Sequence, residues 1–235
     1  MEFFRALGPI AALSFDLDDT LYDNGPVIEQ AEAWMVAHMR DAYLQTAMCD
    51  RAWWQAQKQQ LWREQPALKH DVSLCRRRLL ARGLEWGGMA AAEAAHEADK
   101  VFTQFLEIRS RVEVPDATRQ VLAALAERFP LVVITNGNVL LERLGLDHHF
   151  QHVLKAGGGF AMKPAPDLFA QMADRLGLPP ARILHVGDDV TTDVLGALHN
   201  GYRSAWLNDR GRSLQALRRL PDLMLNRLDE LLNLI

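Results

Sequence analysis

Three short apolar runs that stop abruptly at polar residues constrain the fold of this chain more than any other feature. They lie at 10–15 (IAALSF), 131–135 (LVVIT) and 183–186 (ILHV). Runs of this length with abrupt ends favour buried strands over helices. Between them, the patterns at 115–128 and 164–176 predict helices. Because strands alternate with helices, we predict an α/β fold built on a parallel sheet that is covered by helices.

Residues 25–108 interrupt this alternation with helical patterns in series and no convincing strand. We predict helices at 27–44, 51–64, 71–82 and 89–108. Five of the six tryptophans of the chain lie in this region, namely Trp34, Trp53, Trp54, Trp62 and Trp86. The sequence therefore predicts a core domain formed by 1–24 and 109–235, with a helical domain at 25–108 inserted after the first strand.

The composition argues against several classes of protein. An apolar fraction of 49% and a charged fraction of 24% are those of a globular protein. The formal net charge is −4. Proteins that bind nucleic acid or an anionic membrane usually have a basic surface, so we expect neither partner. The two cysteines are too few for a disulfide framework, and the N-terminus has no cleavage-like end. We therefore expect a cytoplasmic protein.

Four groups of polar residues form a series, and all of them except Lys163-Pro164 directly follow a predicted strand. They are Asp16-Leu17-Asp18-Asp19-Thr20, Thr135-Asn136-Gly137, Lys163-Pro164, and Gly187-Asp188-Asp189 with Asp193. The carboxyl ends of parallel strands meet at one edge of a sheet, so these residues are expected to meet in space. In residue type and order the series resembles the motifs of phosphatases of the haloacid dehalogenase (HAD) superfamily, which begin with a DxDxT signature. The resemblance implies a Rossmann-like doubly wound core with an inserted α-helical cap domain of the C1 type.

The resemblance also implies a phosphatase that works through an aspartyl-phosphate intermediate. Asp16 would be the nucleophile that attacks phosphorus. Asp18 would protonate the leaving oxygen and afterwards deprotonate the attacking water. Lys163 would place a positive charge on the phosphate and the nucleophile, and Asp193 would hold that lysine in place.

By the same resemblance the cofactor would be Mg²⁺, which prefers hard oxygen ligands. The ligands would be Asp16, the backbone carbonyl of Asp18, and Asp188. Asp189 would contact these ligands without binding the metal, or would bind the metal through a water molecule. The phosphate oxygens would be bound by Thr135 together with the backbone amides of Asn136 and Gly137.

The segments LSFDLDDTLYDN, ITNGN and HVGDDVTTDVLGA are most similar to those of bacterial HAD phosphatases that hydrolyse FMN and related riboflavin-pathway phosphates. We therefore expect a small phosphorylated metabolite as the substrate, FMN or a related compound. Sugar phosphates and nucleoside monophosphates are the alternatives within the same reaction. The tryptophans of 25–108 would either stack on a flavin ring or pack the helices together. The sequence predicts no oligomeric state.

Other activities on the same core stay open at this point. A haloacid dehalogenase lacks the second aspartate of the first motif, so Asp18 argues against that reaction. A phosphomutase keeps Asp18 and is excluded only weakly. A non-catalytic ligand-binding protein would be expected to have lost a motif residue, and none is missing here. His185, within the third apolar run, is expected to be a core histidine with satisfied hydrogen bonds.

Overall fold

The computed structural model describes the backbone of residues 1–235 and every side chain except those of Leu44 and Ala216. The chain divides into two units, each of which has its own hydrophobic core. The first unit comprises Met1–Asp23, Glu113–Gly137 and Leu144–Ile235. The second comprises Asn24–Val112 and Asn138–Arg143. The first unit is therefore assembled from segments that the second unit separates in sequence.

A sheet of seven strands forms the centre of the first unit within the described backbone. The strands are β1 (Glu2–Phe3), β2 (Ala12–Phe15), β3 (Leu131–Thr135), β4 (His152–Lys155), β5 (Ile183–Gly187), β6 (Arg203–Leu207) and β7 (Leu223–Leu225). Their order across the sheet is β1-β7-β6-β5-β2-β3-β4. All neighbouring strands are parallel except β1 and β7, which are antiparallel at one edge. The predicted α/β fold with a doubly wound sheet is confirmed, and the sheet is mixed only at that edge.

β2 lies in the middle of the sheet, between β3 and β5. Every residue of these three strands is buried, which explains why their sequences are apolar runs without alternation. In the register of the sheet, Ser14 of β2 lies opposite Val132 of β3 on one side and His185 of β5 on the other. From β2, the chain adds β3 and β4 on one side of the sheet and then β5, β6 and β7 on the other. The carboxyl end of β2 is therefore a switch point, where ligands bind in sheets of this kind.

Seven α-helices accompany the strands in the described backbone. They are α1 (Gly25–Ala42), α2 (Arg51–Glu64), α3 (Val72–Trp86), α4 (Ala91–Arg109), α5 (Asp116–Ala126), α6 (Pro166–Leu176) and α7 (Gly196–His199). Short 3₁₀-helices occupy Leu44–Thr46, Pro66–His70, Leu141–Leu144, Asp147–His149, Pro180–Arg182, Leu214–Ala216 and Leu228–Leu234. A π-helical segment, Val190–Leu195, leads directly into α7. None of the described helices combines the length and apolar character that crossing a membrane requires.

The second unit is built from α1 to α4, and its tryptophans pack these helices together. Trp54 is buried, and its ring lies so close to α3 that a Cβ added at Gly83 would be 2.2 Å from it. Trp53 contacts Trp54 edge to face with ring centroids 4.9 Å apart, and its centroid lies 5.4 Å from that of Trp86. Of the two readings that the sequence allows for Trp53 and Trp54, core packing is therefore the one that the geometry favours.

The segment Asn138–Arg143 belongs to the second unit, although the sequence prediction of 25–108 leaves it in the core domain. The Leu140 amide donates to Ser110 Oγ at 2.9 Å, and Asn138 Nδ2 donates to Ser73 Oγ at 3.2 Å. Arg143 also pairs with Glu107 at 2.9 Å. These contacts are long-range, so the local sequence of the segment carries no sign of them.

Candidate active site

Lys163 lies within a buried group of charges at the carboxyl edge of the sheet. Its Nζ donates to Asp16 Oδ1 at 2.8 Å and to Asp193 Oδ1 at 2.6 Å. Lys163 and Asp193 are each 1% exposed, and Asp16 is 8% exposed. Asp16 directly follows β2, and its amide donates to the Val186 carbonyl of β5 at 2.9 Å. The structure thus brings the predicted nucleophile, the predicted lysine and its predicted partner into direct contact.

Burial and mutual charge set the protonation states of these three groups. Burial raises the pKa of Asp16 to about 7, and the charge of Lys163 opposes this only in part. Burial alone would lower the pKa of Lys163, but Asp16 and Asp193 raise it above its ordinary value. Burial alone would raise the pKa of Asp193, but Lys163 and His185 hold it well below its usual range. Lys163 is therefore a fixed cation and Asp193 a fixed anion, while the charge of Asp16 responds to further positive charge nearby.

Asn136 holds the main chain of Lys163, a contact that the sequence does not predict. Its Oδ1 accepts a hydrogen bond from the Lys163 amide at 2.7 Å, and its Nδ2 donates to the Lys163 carbonyl at 3.0 Å. Thr135 is buried, and its Oγ1 accepts from the Gly137 amide at 3.0 Å. Phosphate binding by Thr135 and by the amides of Asn136 and Gly137 stays a prediction. The structure adds that the Gly137 amide already has a partner in Thr135.

Asp18 lies beside Gly137 and is fixed from the other side by Tyr22. A Cβ added at Gly137 would be 2.6 Å from Asp18 Oδ2, so any larger residue there would displace the carboxyl group. The Tyr22 hydroxyl donates to Asp18 Oδ1 at 2.5 Å. Between these two residues, Asp19 adopts a positive φ of 60°, which turns the chain after the first motif. The carboxyl group of Asp18 is thereby held next to the predicted phosphate-binding segment.

Asp188 follows β5, and two residues from farther along the chain hold it in place. Trp206 Nε1 donates to the Asp188 carbonyl at 2.8 Å, and Arg212 donates to the same oxygen. Arg212 also lies 3.5 Å from Asp188 Oδ2 and stacks over the Trp206 ring. Burial and the charge of Asp193 raise the pKa of Asp188 to about 6, and Arg212 acts in the opposite direction. Sequence reasoning missed Trp206 and Arg212, because only the register that pairs Gly187 with Trp206 reveals the contact.

Asp16, Asp188 and Asp193 form a carboxylate group suited to a cation. One oxygen atom of each lies within 4.8 Å of the others. Both oxygens of Asp193 already accept hydrogen bonds, Oδ1 from Lys163 and Oδ2 from the Asp189 amide at 3.0 Å. Asp16 and Asp188 are therefore the better ligands. A bound cation would offset the negative charge that burial makes costly, so these residues fit Mg²⁺.

Asp189 serves as the cap of the π-helical segment. Its Oδ1 accepts from the amides of Thr191 at 2.8 Å and Thr192 at 2.7 Å. Among the described residues, the carboxylate group includes Asp193 and not Asp189. A role for Asp189 behind the metal ligands stays a prediction.

The doubly wound sheet, with aspartates after two adjacent central strands and a lysine that contacts one of them, is typical of hydrolases that use an aspartate nucleophile. The chain belongs to the haloacid dehalogenase-like hydrolases, whose family model matches residues 10–201. Its relatives include several phosphatases, and the chain is a hydrolase of phosphoric monoesters.

Three comparisons extend over nearly all of the chain. The 5-amino-6-(5-phospho-D-ribitylamino)uracil phosphatase YigB of Escherichia coli K12 is 39% identical over 238 residues, which cover 100% of both chains. The glyceraldehyde 3-phosphate phosphatase of Methanopyrus kandleri is 28% identical over 243 residues, which cover 96% of this chain and 97% of the relative. The crystal structure of a 2-haloacid dehalogenase from Pseudomonas syringae pv. tomato is 35% identical, with a TM-score of 0.90 over 94% of this chain and 96% of that one.

Proposed function

We propose that this phosphatase acts on a ribityl phosphate of the riboflavin pathway, with 5-amino-6-(5-phospho-D-ribitylamino)uracil as the first candidate and FMN as the second. The observation that carries the proposal is the 39% identity to the E. coli uracil-derivative phosphatase over the full length of both chains. In both candidate compounds the phosphate ends a ribityl chain attached to a nitrogen heterocycle. The reacting ends of the two substrates are therefore alike.

The contacts within the site support a two-step reaction. Asp16 attacks phosphorus, the bond from phosphorus to the ester oxygen breaks, and Asp18 gives its proton to the leaving alkoxide. Asp18 then takes a proton from water, and this water breaks the bond between phosphorus and Asp16 and releases phosphate. Lys163 lies 2.8 Å from the attacking carboxylate, where it orients Asp16 and balances negative charge. Asn136 keeps the main chain of Lys163 in place throughout.

Mg²⁺ would be held by Asp16, Asp188 and the Asp18 carbonyl, with Asp189 behind them. When bound, it supplies positive charge between the nucleophile and the phosphate, which otherwise repel each other. Trp206 and Arg212 hold the backbone of Asp188 and thereby fix the direction of its carboxylate. Thr135, with the amides of Asn136 and Gly137, would receive the phosphate oxygens.

The helical unit would act as a cap that selects small substrates. Its main part, Asn24–Val112, follows the first motif directly in sequence, which is the position of the C1-type cap in the phosphatases that this chain resembles. The proposed selection does not depend on stacking by Trp54, because that side chain is buried in the core of the unit. We assign the substrate preference to the unit and not to an individual tryptophan.

The test is a comparison of kcat/KM for phosphate release across a panel of esters. The panel contains the ribitylaminouracil phosphate, FMN, glyceraldehyde 3-phosphate and a nucleoside monophosphate. Chloride release from 2-chloropropionate, the reaction of a dehalogenase, is measured separately. The proposal predicts that a ribityl phosphate leads by more than about 10-fold, or about 1.4 kcal/mol in the transition state. Glyceraldehyde 3-phosphate as the best substrate would contradict the proposed substrate while leaving the phosphatase chemistry intact.

The metal dependence is tested on the same substrate. Exhaustive chelation is expected to abolish phosphate release, and added Mg²⁺ is expected to restore it, because Asp16 and Asp188 need a cation to be ionised side by side. Calorimetry of Mg²⁺ binding gives an independent measurement. Full activity after chelation would rule out the proposed cofactor.

A further inference from the structure

A line of hydrogen bonds continues from the active site into the centre of the sheet. Asp193 Oδ1, which accepts from Lys163, also lies 3.2 Å from His185 Nε2. The other ring nitrogen, His185 Nδ1, lies 2.9 Å from Ser14 Oγ. Ser14 is 0% exposed and His185 is 1% exposed. The two residues are therefore part of a continuous buried path that leads from β2 to the lysine. The contacts with Asp193 and Ser14 confirm the expectation that His185 is a core histidine with satisfied hydrogen bonds.

The partners determine which nitrogen of the ring carries hydrogen. Asp193 is ionised, and a carboxylate only accepts hydrogen bonds, so Nε2 must be the donor toward it. Burial lowers the pKa of His185, which keeps the ring neutral. A neutral ring with hydrogen on Nε2 has an acceptor at Nδ1, and the Ser14 hydroxyl donates to it. Asp193 thus selects the tautomer, and Ser14 complements it by donating to the acceptor at Nδ1.

The geometry also fixes the ring in space. Ser14 and His185 are direct neighbours in the register of β2 and β5. The Phe169 ring packs against the imidazole edge to face, with centroids 5.3 Å apart and an interplanar angle of 81°. A group on a central strand with both nitrogens bonded and one face packed has little freedom. It is suited to hold a neighbour in one orientation.

We propose that His185 is a positioning residue of the phosphatase. Its Nε2–H holds the Asp193 carboxylate in the orientation that binds Lys163, and Ser14 holds the other side of the ring by donating to Nδ1. The inference rests on the proposed function in one respect, which is that Lys163 and Asp16 act on the phosphate. Without the donor at Nε2, Asp193 keeps Lys163 and the Asp189 amide as partners but loses its hydrogen bond to β5. Lys163 then no longer holds Asp16 in a single position.

Two substitutions of similar polarity separate positioning from packing. His185→Gln places its amide nitrogen where Nε2 lies and keeps a donor toward Asp193, whereas His185→Asn reaches only the position of Nδ1. We expect His185→Asn to lower kcat by about 10- to 100-fold, the range for removing a supporting partner of an active-site group. We expect His185→Gln to stay within about 3-fold of the parent, with KM nearly constant in both, because the lost interaction acts in the transition state. Equal kcat values in the two variants, both high or both low, would overturn the proposal.

A stability control separates a loss of activity from a loss of folding. Met172→Ala opens a cavity in the buried cluster of the same unit without removing any of these hydrogen bonds. It should lower the melting temperature and leave kcat unchanged when assayed well below melting. If Met172→Ala lowers kcat as much as His185→Asn does, the effect belongs to general packing and the proposal fails.

Two further measurements keep the inference separate from the proposed function. Asp16→Asn must abolish phosphate release, and if it does not, the proposed chemistry fails before the His185 variants are compared. Nitrogen-15 NMR of the His185 ring reports the tautomer without any turnover, even if His185→Asn fails to fold. We expect hydrogen on Nε2 both in the parent and in Ser14→Ala, because Asp193 is the acceptor beside Nε2 in each. Hydrogen on Nδ1 in the parent would contradict the proposal directly.

Discussion

Each unit contains a lysine that pairs with carboxylates, and the two lysines differ in burial. In the first unit, Lys163 contacts two carboxylates while being 1% exposed. In the helical unit, Lys100 pairs with Glu97 at 2.7 Å while its own side chain is 54% exposed. Burying charges carries a desolvation cost that their attraction often fails to recover, whereas an exposed pair changes stability little. The difference indicates that the buried charges are kept for chemistry and that the exposed ones are a solvated surface.

The two units are expected to differ most when one aspartate in each is neutralised. Asp16→Asn is expected to reduce phosphate release by at least about 10³-fold while the circular dichroism spectrum stays unchanged, because the nucleophile is lost and the shape is kept. The matched control is Asp99→Asn, whose carboxylate pairs with Arg77 at 3.5 Å on the surface of the helical unit. Equal activity of Asp16→Asn and the parent would show that Asp16 is not the nucleophile.

A second pair of variants compares the two lysines. Lys163→Met is expected to lower both kcat and stability, the latter by roughly 3–5 kcal/mol in metal-free protein at alkaline pH, because two buried carboxylates lose their cation. Lys100→Met should leave the urea midpoint and kcat nearly unchanged. Urea unfolding without Mg²⁺ measures the stability, and steady-state kinetics with Mg²⁺ measures the activity. If the two variants lose the same stability, the contrast between buried and exposed charge does not hold.

Two glycines, one in each unit, make room for a neighbouring side chain. Gly137→Ala forces the Asp18 carboxyl group to move, so we expect a loss of about 10- to 100-fold in kcat with little change in melting. Gly83→Ala drives a methyl group into the Trp54 ring, so we expect a loss of about 1–3 kcal/mol of stability. Assayed below its melting temperature, Gly83→Ala should keep kcat. The reverse pattern would mean that the two glycines have been assigned to the wrong roles.

The smallest expected effect concerns the pH dependence of stability. Burial lowers the pKa of His185, so the folded protein leaves it neutral while the unfolded chain protonates it near pH ~6.5. Its contribution to stability is complete above that pH and declines as the pH falls toward the lowered value. The charged groups around the ring, Asp193 and Lys163, keep their charges over this range. The melting temperature of the parent minus that of His185→Gln should therefore shrink from pH 8 to pH 5, and a constant difference would contradict the lowered pKa.

The strands that the sequence predicts well are those buried on both faces. β3 matches its prediction at Leu131–Thr135, and β2 and β5 differ from theirs by one or two residues, because uninterrupted apolar runs mark strands of this kind. β1, β4, β6 and β7 were missed. The sequences of β4 and β6, HVLK and RSAWL, mix polar and apolar residues, and only their neighbours in the sheet determine that they are strands. Helix α2 matches its predicted bounds, since Asp50 caps its start by accepting from the Trp53 amide.

The sequence also predicts the pairing of Lys163 with Asp193, which the structure shows at 2.6 Å. What it cannot predict is the support behind these residues. Ser14 meets His185 only because β2 and β5 are neighbours in this register, and that order is not encoded in either segment alone. Tyr22 lies close in sequence to Asp18, so a bond between them could have been proposed from the spacing of four residues.

Trapping the phosphorylated enzyme tests directly whether Asp16 is the nucleophile. Parent protein is mixed with Mg²⁺ and the ribitylaminouracil phosphate, quenched in acid within the first turnover, digested and examined by mass spectrometry. We expect one added phosphoryl group on the peptide that contains Asp16, and none on the same peptide of Asp16→Asn. A phosphoryl group on another residue, or rapid turnover with no modified peptide at any quench time, would contradict this role of Asp16.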